Sequence, residues 1–357
     1  MEQREAMNSG EATIDAATRS RVIAGVLHYL RTYYLYPNTA EEIARTIEQR
    51  MDRGDFDAIT NASTLCDTLT VHLQEASHDK HLQARYDVEP QALSESANEF
   101  DDPAVLERRR LAISVRNYGF ERVERLSGNI GYLDLRFFSP VWSGCGDTAT
   151  AAMTFLANTN ALIIDLRNNT GGGVGLMDYL CSYLLPAVPE HPIHLIDLHY
   201  SDHLEQHWTL PHVPGPRYAD KPVYILTSGR TISAGEAFAY TLQALKRATI
   251  VGETTAGASN LAGLYRIDTH FAVVISNGRV IVPSAGGDWE GTGVHPDLAV
   301  PEGNALQTAH VAALKRVLEI ADVATMDLAR VVREEVRKGL AELERREMDA
   351  DRVLCPP

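Results

Sequence analysis

The sequence predicts an α/β core set between a helical N-terminal part and a long C-terminal helical segment. Three patterns predict it. From 128 to 300, short apolar runs alternate with helical stretches, the signature of strands joined by helices. From Arg19 to about Leu82, apolar residues recur at helical spacing. From about Ala305 to Arg346, one face is apolar and the other charged.

In chain order, residues 1–18 are polar and are expected to be disordered. Val22, Ile23, Val26, Leu27, Leu30, Tyr33 and Tyr34 mark the first helix, which Pro37 and Asn38 break. Thr39-Ala40-Glu41-Glu42 starts a second helix with acids in its first turn, where they suit the helix dipole. After a turn from Gly54 to Asn61, Ser63 opens a third helix carrying Leu65, Leu69, Val71 and Leu73. Together these form a small bundle over 19–82. The tyrosines are read as core packing, because spacing alone explains them.

Residues 83–127 are mixed and polar, with the composition of a loop from Glu89 to Pro103. In the core, 128–304, strands are expected at Ile130–Leu135, Ala161–Leu166, Val223–Thr227, Ala248–Gly252 and Val273–Ile275. Helices are expected at Thr148–Ala157 and Leu176–Leu185. His191 to His212 is Pro-punctuated and reads as an irregular surface excursion, its histidines lacking the spacing of a metal-ligand set. In the extension, 305–357, Leu328, Val331, Val332, Val336, Leu340 and Leu343 line one face, which would lie on the core or on a second copy in a homo-oligomer.

Composition narrows the function. The chain has 357 residues, 45% hydrophobic and 23% charged, as in ordinary globular proteins. A net charge of −15 argues against nucleic acid and against an anionic membrane surface, both of which need a basic footprint. No run of about 18 apolar residues exists, so no membrane span is expected. The N-terminal residues lack the apolar centre of a signal peptide, and Cys66, Cys145, Cys181 and Cys355 form no C-x-x-C pair. The cysteines therefore offer no obvious zinc or redox-cofactor motif, and a cytoplasmic chain with reduced thiols is the expectation.

The most informative stretch is Lys221–Asn260. A strand ends at Thr227, and Ser233 follows at the start of a helix of small residues. Free N–H groups and the dipole at a helix N-terminus can stabilise an alkoxide or oxyanion, so this is where a hydrolase would place a nucleophile. Ser233-Ala234-Gly235-Glu236 equally fits S-x-x-E, the capping box. Three other segments bear on the choice. Gly171-Gly172-Gly173 follows a buried strand and can bring N–H groups to a ligand, or be a plain turn. His78-Asp79-Lys80-His81 ends the bundle and offers a general base, or a solvated helix end. Asp288-Trp289-Glu290 lies in a Gly-rich turn and offers an orienting acid, or an ordinary surface loop.

The pieces GNIGYLDL, ALIIDLRNNTGGG, YILTSGRTISAGEAFAY, ATIVGETTAG and DWEGTGVHPD, in this order, resemble the tail-specific (C-terminal processing) serine peptidase family. They look closest to its interphotoreceptor retinoid-binding-protein-like branch, whose N-terminal domain the bundle ending SHDKHL resembles. The resemblance covers roughly residues 20 to 300. It implies a ClpP/crotonase-like ββα spiral core, with Ser233 as nucleophile and a peptide or small acyl substrate. The family's lysine position is Ala258 here, so a Ser–Lys dyad is not available. By similarity to the related tricorn proteases, His81 would be the base and Glu290 the glutamate. Gly171, Gly172 and Ala234 would form the oxyanion hole. The roughly 45 residues of 83–127 are too few for the peptide-binding PDZ domain of many members, which needs roughly 80. The same constellation would serve a hydrolase or acyltransferase acting on a non-peptide metabolite. Loss of the lysine is also compatible with a non-catalytic binder of an apolar ligand.

Overall fold

A computed structural model describes residues 12–91, 103–188, 190–323 and 327–354. In chain order the helices are α1 (Ala16–Tyr33), α2 (Pro37–Asp52), α3 (Ala62–Ser77), α4 (Pro103–Ser114), α5 (Gly146–Leu156), α6 (Val174–Leu184), α7 (Ala234–Ala244), α8 (Glu302–Val323) and α9 (Asp327–Leu354). The strands are β1 (Gln83–Tyr86), β2 (Phe120–Leu126), β3 (Ile130–Leu135), β4 (Ala161–Asp165), β5 (His194–Tyr200), β6 (Leu204–Trp208), β7 (Val223–Thr227), β8 (Thr249–Gly252), β9 (Leu261–Arg266), β10 (Phe271–Ile281) and β11 (Leu298–Ala299). The chain divides into two compact units. One is Met1–Arg109 with Leu198–Glu205 and Asn260–Val280; the other is Arg110–Asp197, Gln206–Ser259 and Ile281–Pro357.

In the first unit, the polar start is ordered sooner than expected. Residues 1–11 lie outside the described residues, but Thr13 bridges to Asn61 and Ile14 is buried in the bundle core. Asp15 then caps α1 by accepting the Thr18 N–H at 2.7 Å. Pro37 occupies the first turn of α2, where its missing N–H costs nothing. Asn61, rather than Ser63, caps α3 through the Thr64 N–H at 2.9 Å. Val26, Leu30, Ile47, Leu65 and Leu69 are fully buried, each contributing about 1.5–3 kcal/mol. Val71, expected inside, is 50% exposed, because it turns away from the stripe that Leu65, Leu69 and Leu73 bury. The bundle packs on an antiparallel sheet in which β10 pairs with β1 and β9, contributing Tyr265, Phe271, Val273 and Ile275 to the same core. Tyr33 stacks on Tyr265 at 4.4 Å, a packing role as expected.

The second unit is built on a six-stranded sheet in the order β11-β8-β7-β4-β3-β2. All neighbours are parallel except β2 and β3. β4 and β7 are buried along their whole length, as their continuous apolar runs require. One face, through Tyr132, Ile163 and Leu226, packs on Ala305, Ala309, Ala313 and Leu314 of α8, and Val336 of α9 joins that cluster. Small residues on α8 let it lie close to the sheet. Val332, Leu340 and Leu343 face the same core, while Val331 is 58% exposed and departs from the predicted stripe; the side chain of Leu328 lies outside the described residues.

The mixed region 83–127 contains β1, α4 and β2, and 92–102 of its predicted loop lies outside the described residues. The histidine-rich excursion is not irregular: it contains β5 and β6. In β5, Leu195, Ile196 and Leu198 are buried, and the interleaved histidines had obscured that strand pattern. Several of its histidines take carboxylate partners. His194 meets Asp197 at 2.7 Å and His207 meets Asp178 at 2.6 Å. No helix among the described residues is long and apolar enough to cross a membrane.

Candidate active site

Ser233 lies between β7 and α7, and its backbone is unusual, with φ 57° and ψ −123°. An N-cap residue normally takes β-region angles, whereas this conformation costs a non-glycine residue of order 1–3 kcal/mol. The surroundings hold it there. Ile232 N–H donates to the Asn169 carbonyl at 3.2 Å, and Gly235 N–H donates to the Ile232 carbonyl at 3.1 Å. The hydroxyls of Ser228 and Thr231 donate to the carbonyls of Arg167 and Leu166 at 2.6 and 2.7 Å, lacing the turn to the loop after β4. The capping box is also formed, so the cap and the unusual backbone coexist at one half-buried residue.

Glu236, the fourth residue of that box, is fully buried. Its carboxylate accepts the N–H groups of Ser233 (2.9 Å), Gly257 (2.7 Å) and Ala258 (3.0 Å), and the Thr255 hydroxyl (2.5 Å). Burial pushes its carboxyl above the usual carboxylate range, and the four donors oppose that. Ala258, at the lysine position of the resemblance, is therefore a fully buried part of this anchor.

The glycine loop comes against the serine. A Cβ on Gly171 would fall 2.7 Å from Ser233 Cβ and 3.2 Å from its Oγ, so only glycine allows the approach. Gly171 N–H donates to Asn169 Oδ1 at 2.9 Å and Gly173 N–H donates to the Phe138 carbonyl at 2.7 Å. Of the donors expected for an oxyanion, the Gly171 N–H is thus already committed. Asn169, fully buried, also donates through Nδ2 to the Leu135 carbonyl at 2.8 Å, which fixes the loop to the end of β3. Asn168 and Thr170 of the same loop line a cavity of about 580 Å³ together with Arg116, Arg136 and Phe137.

Glu290 sits in the turn after the buried Trp289. It accepts the Ser259 N–H at 2.5 Å, one residue beyond the contact of Ala258 with Glu236. Gly291 N–H donates to the Gly257 carbonyl at 3.1 Å and Val294 N–H to the Thr255 hydroxyl at 2.7 Å, so the two turns are fastened together.

His81 belongs to the first unit. α3 ends at Ser77, and His78 takes a left-handed conformation (φ 58°, ψ 14°) that turns the chain. Asp79, 2% exposed, then accepts the His81 N–H at 2.9 Å and the Asn260 Nδ2–H at 3.2 Å. The His81 ring is 15% exposed. Its Nδ1 is buried without a hydrogen-bond partner among the described residues, 3.9 Å from Asp79 Oδ1. Burial holds its pKa below the ordinary value of 6.5, opposed by the Asp79 charge.

Residues 129–300 match the family model described as Peptidase family S41, and residues 5–112 match the N-terminal domain of peptidase S41 in eukaryotic IRBP. The chain belongs to peptidase family S41. It is accordingly a serine-type peptidase by family, with the α/β fold of that family. A lipoprotein from Streptococcus agalactiae has a similar fold (TM-score 0.56, 17% identity), over 84% of this chain and 96% of that one. The tricorn protease (TM-score 0.51, 13% identity) is matched over 84% of this S41 chain, which spans 37% of the tricorn chain. At these identities the likeness is one of fold. Within the S41 chain, the second unit brings Ser233, Ala234, the glycine loop and the Glu290 turn into one bonded assembly, while His81 is in the first. Sequence reading did not single out Asn169 or the anchoring role of Glu236. The available signals were an asparagine between a buried strand and a glycine run, and an acid in a first turn of otherwise small residues.

Proposed function

We propose that this S41 peptidase cleaves peptide bonds through an acyl-enzyme on Ser233. The single observation that carries the reading is the backbone of Ser233, held at φ 57° beside the Gly171 close approach. A plain helix cap has no use for such strain, whereas a nucleophile placed between a strand and a helix does. In the mechanism, His81 takes the Ser233 proton as Oγ bonds to the substrate carbonyl carbon. The N–H groups of Gly172 and Ala234 hold the oxyanion. The C–N bond then breaks, His81 passes the proton to the departing amine, and water activated by His81 releases the acid. Glu290 acts by fixing the turn that carries Ser259, as a positioning group.

Ala258 in place of the lysine favours one other reading, a ligand binder that has lost its chemistry. Fluorophosphonate labelling followed by intact-protein mass spectrometry separates the two. One adduct on wild type and none on Ser233→Ala is the expected result. Folded wild type that takes up no label would move the assignment to ligand binding.

A further inference from the structure

We propose that Asp79 is a positioning residue for His81, supplying the carboxylate that faces its Nδ1 and selects the tautomer with a basic Nε2. The proposal rests on the reading of His81 as the general base.

The carboxylate is built to face that ring. It lies at the left-handed exit from α3, where the chain reverses so that Asp79 and His81 share one side of a turn. Its Oδ1 accepts the backbone N–H of His81 at 2.9 Å, which sets the distance between acid and ring. The same oxygen stands 3.9 Å from Nδ1, the buried ring nitrogen without a hydrogen-bond partner among the described residues. That distance is too long for a hydrogen bond and short enough for a direct charge interaction between carboxylate and ring. Oδ2 accepts from Asn260 Nδ2 at 3.2 Å, which keeps the carboxylate from swinging away. Ser77 Oγ accepts the Asp79 N–H at 3.0 Å and steadies the turn from behind.

At 2% exposure, Asp79 is shielded from solvent, so its charge is less screened than that of a surface carboxylate. Among the described residues, Asp79 is the charged group with a resolved influence on His81, and it opposes the burial effect. Tyr34 lies against Asp79 as a neutral neighbour, its phenol pushed well above its ordinary value by burial and then by the Asp79 charge. His78 and Lys80 flank Asp79 in sequence. An N–H on Nδ1 pointing at a carboxylate leaves the Nε2 lone pair for the serine proton and stabilises the imidazolium that forms.

The ordinary role of such an aspartate is a turn that only shapes the backbone. Asp79→Asn separates the two roles. Asparagine keeps an oxygen for the His81 N–H, and its amide can re-pair with Asn260 after an amide flip, so the turn survives while the charge goes. The His81 imidazole would be followed by NMR titration in full-length wild type and variant, alongside thermal melting and the kcat and KM of any peptide substrate turned over. The expected result is a His81 midpoint lower by about half a pH unit or more. The melting temperature should be nearly unchanged, and kcat should fall tenfold or more with KM little altered. A folded Asp79→Asn protein with an unmoved His81 midpoint overturns the proposal, whatever its activity. Should Asp79→Asn fail to fold, Asn260→Ala serves: a carboxylate no longer held facing the ring should lower the His81 midpoint, and an unmoved or raised midpoint again overturns it. The titration needs no turnover. Failure of the peptidase reading would appear as absent labelling of Ser233, a separate outcome from failure of the Asp79 assignment.

Discussion

The N–H groups of Ser233 and Ala258 share one acceptor, Glu236 Oε2, at 2.9 and 3.0 Å. The candidate nucleophile and the residue at the position of the absent lysine are therefore two ends of one hydrogen-bonded clamp. The other carboxylate oxygen holds Thr255 and Gly257.

Cutting that clamp should be costly. Glu236→Gln puts an NH2 group where N–H donors converge, leaving buried donors unpaired at about 1–3 kcal/mol each. Chemical denaturation should show a loss of this order, and fluorophosphonate labelling should slow at temperatures where the variant is still folded. Full labelling speed in a folded variant would mean that the clamp does not set the serine's geometry.

Ser233→Ala should abolish turnover while changing stability by no more than about 1 kcal/mol, the typical cost of a lost cap. Urea melts of the two proteins and a sensitive peptide assay check this together. Residual activity at the wild-type level would return Ser233 to the role of a helix cap.

Ala258→Lys tests the missing dyad. Ala258 is fully buried and its N–H is tied to Glu236, so a lysine overpacks the site, at about 1–3 kcal/mol. No gain of activity is expected, either alone or combined with His81→Ala. Recovery of turnover in the double variant would identify a latent Ser–Lys site and remove His81 from the mechanism.

The pH dependence follows from His81. Burial holds its pKa below 6.5, so the unfolded chain takes up this proton first on acidification. The group therefore favours the fold above pH 6.5 and does so progressively less as the pH falls through the folded-state value. Its neutral form also persists to lower pH than that of an ordinary histidine. The acid limb of kcat/KM should have its midpoint under 6.5, and His81→Ala should remove that limb along with most of the rate.

The strands that carry chemistry were legible because they are buried on both faces. β3, read from its alternation, and β7 match their expected bounds residue for residue. β5 escaped notice because polar residues alternate with its buried leucines, and Val71 and Val331 misled because a helical stripe read from spacing has soft edges. At the site, residue types could be read but not their commitments. Nothing in Gly171-Gly172-Gly173 says which N–H is used; that is set by Asn169, two residues before Gly171. The positive φ of Ser233 was also invisible, since it is imposed by carbonyls from the loop after β4 rather than by local sequence.

That positive φ has a bearing on how relatives should be read. At position 233 the backbone suits glycine best, while the proposed chemistry demands serine. Selection for activity and selection for fold stability therefore pull in opposite directions at one codon. Where the first is relaxed, drift toward glycine is downhill. A homologue with glycine there would keep the backbone hydrogen bonds around it and give up only the side-chain half of the capping box, a loss of a few tenths of a kcal/mol that the relieved backbone strain outweighs, and good preservation of the neighbouring motifs would then be a poor guide to whether it still cuts anything.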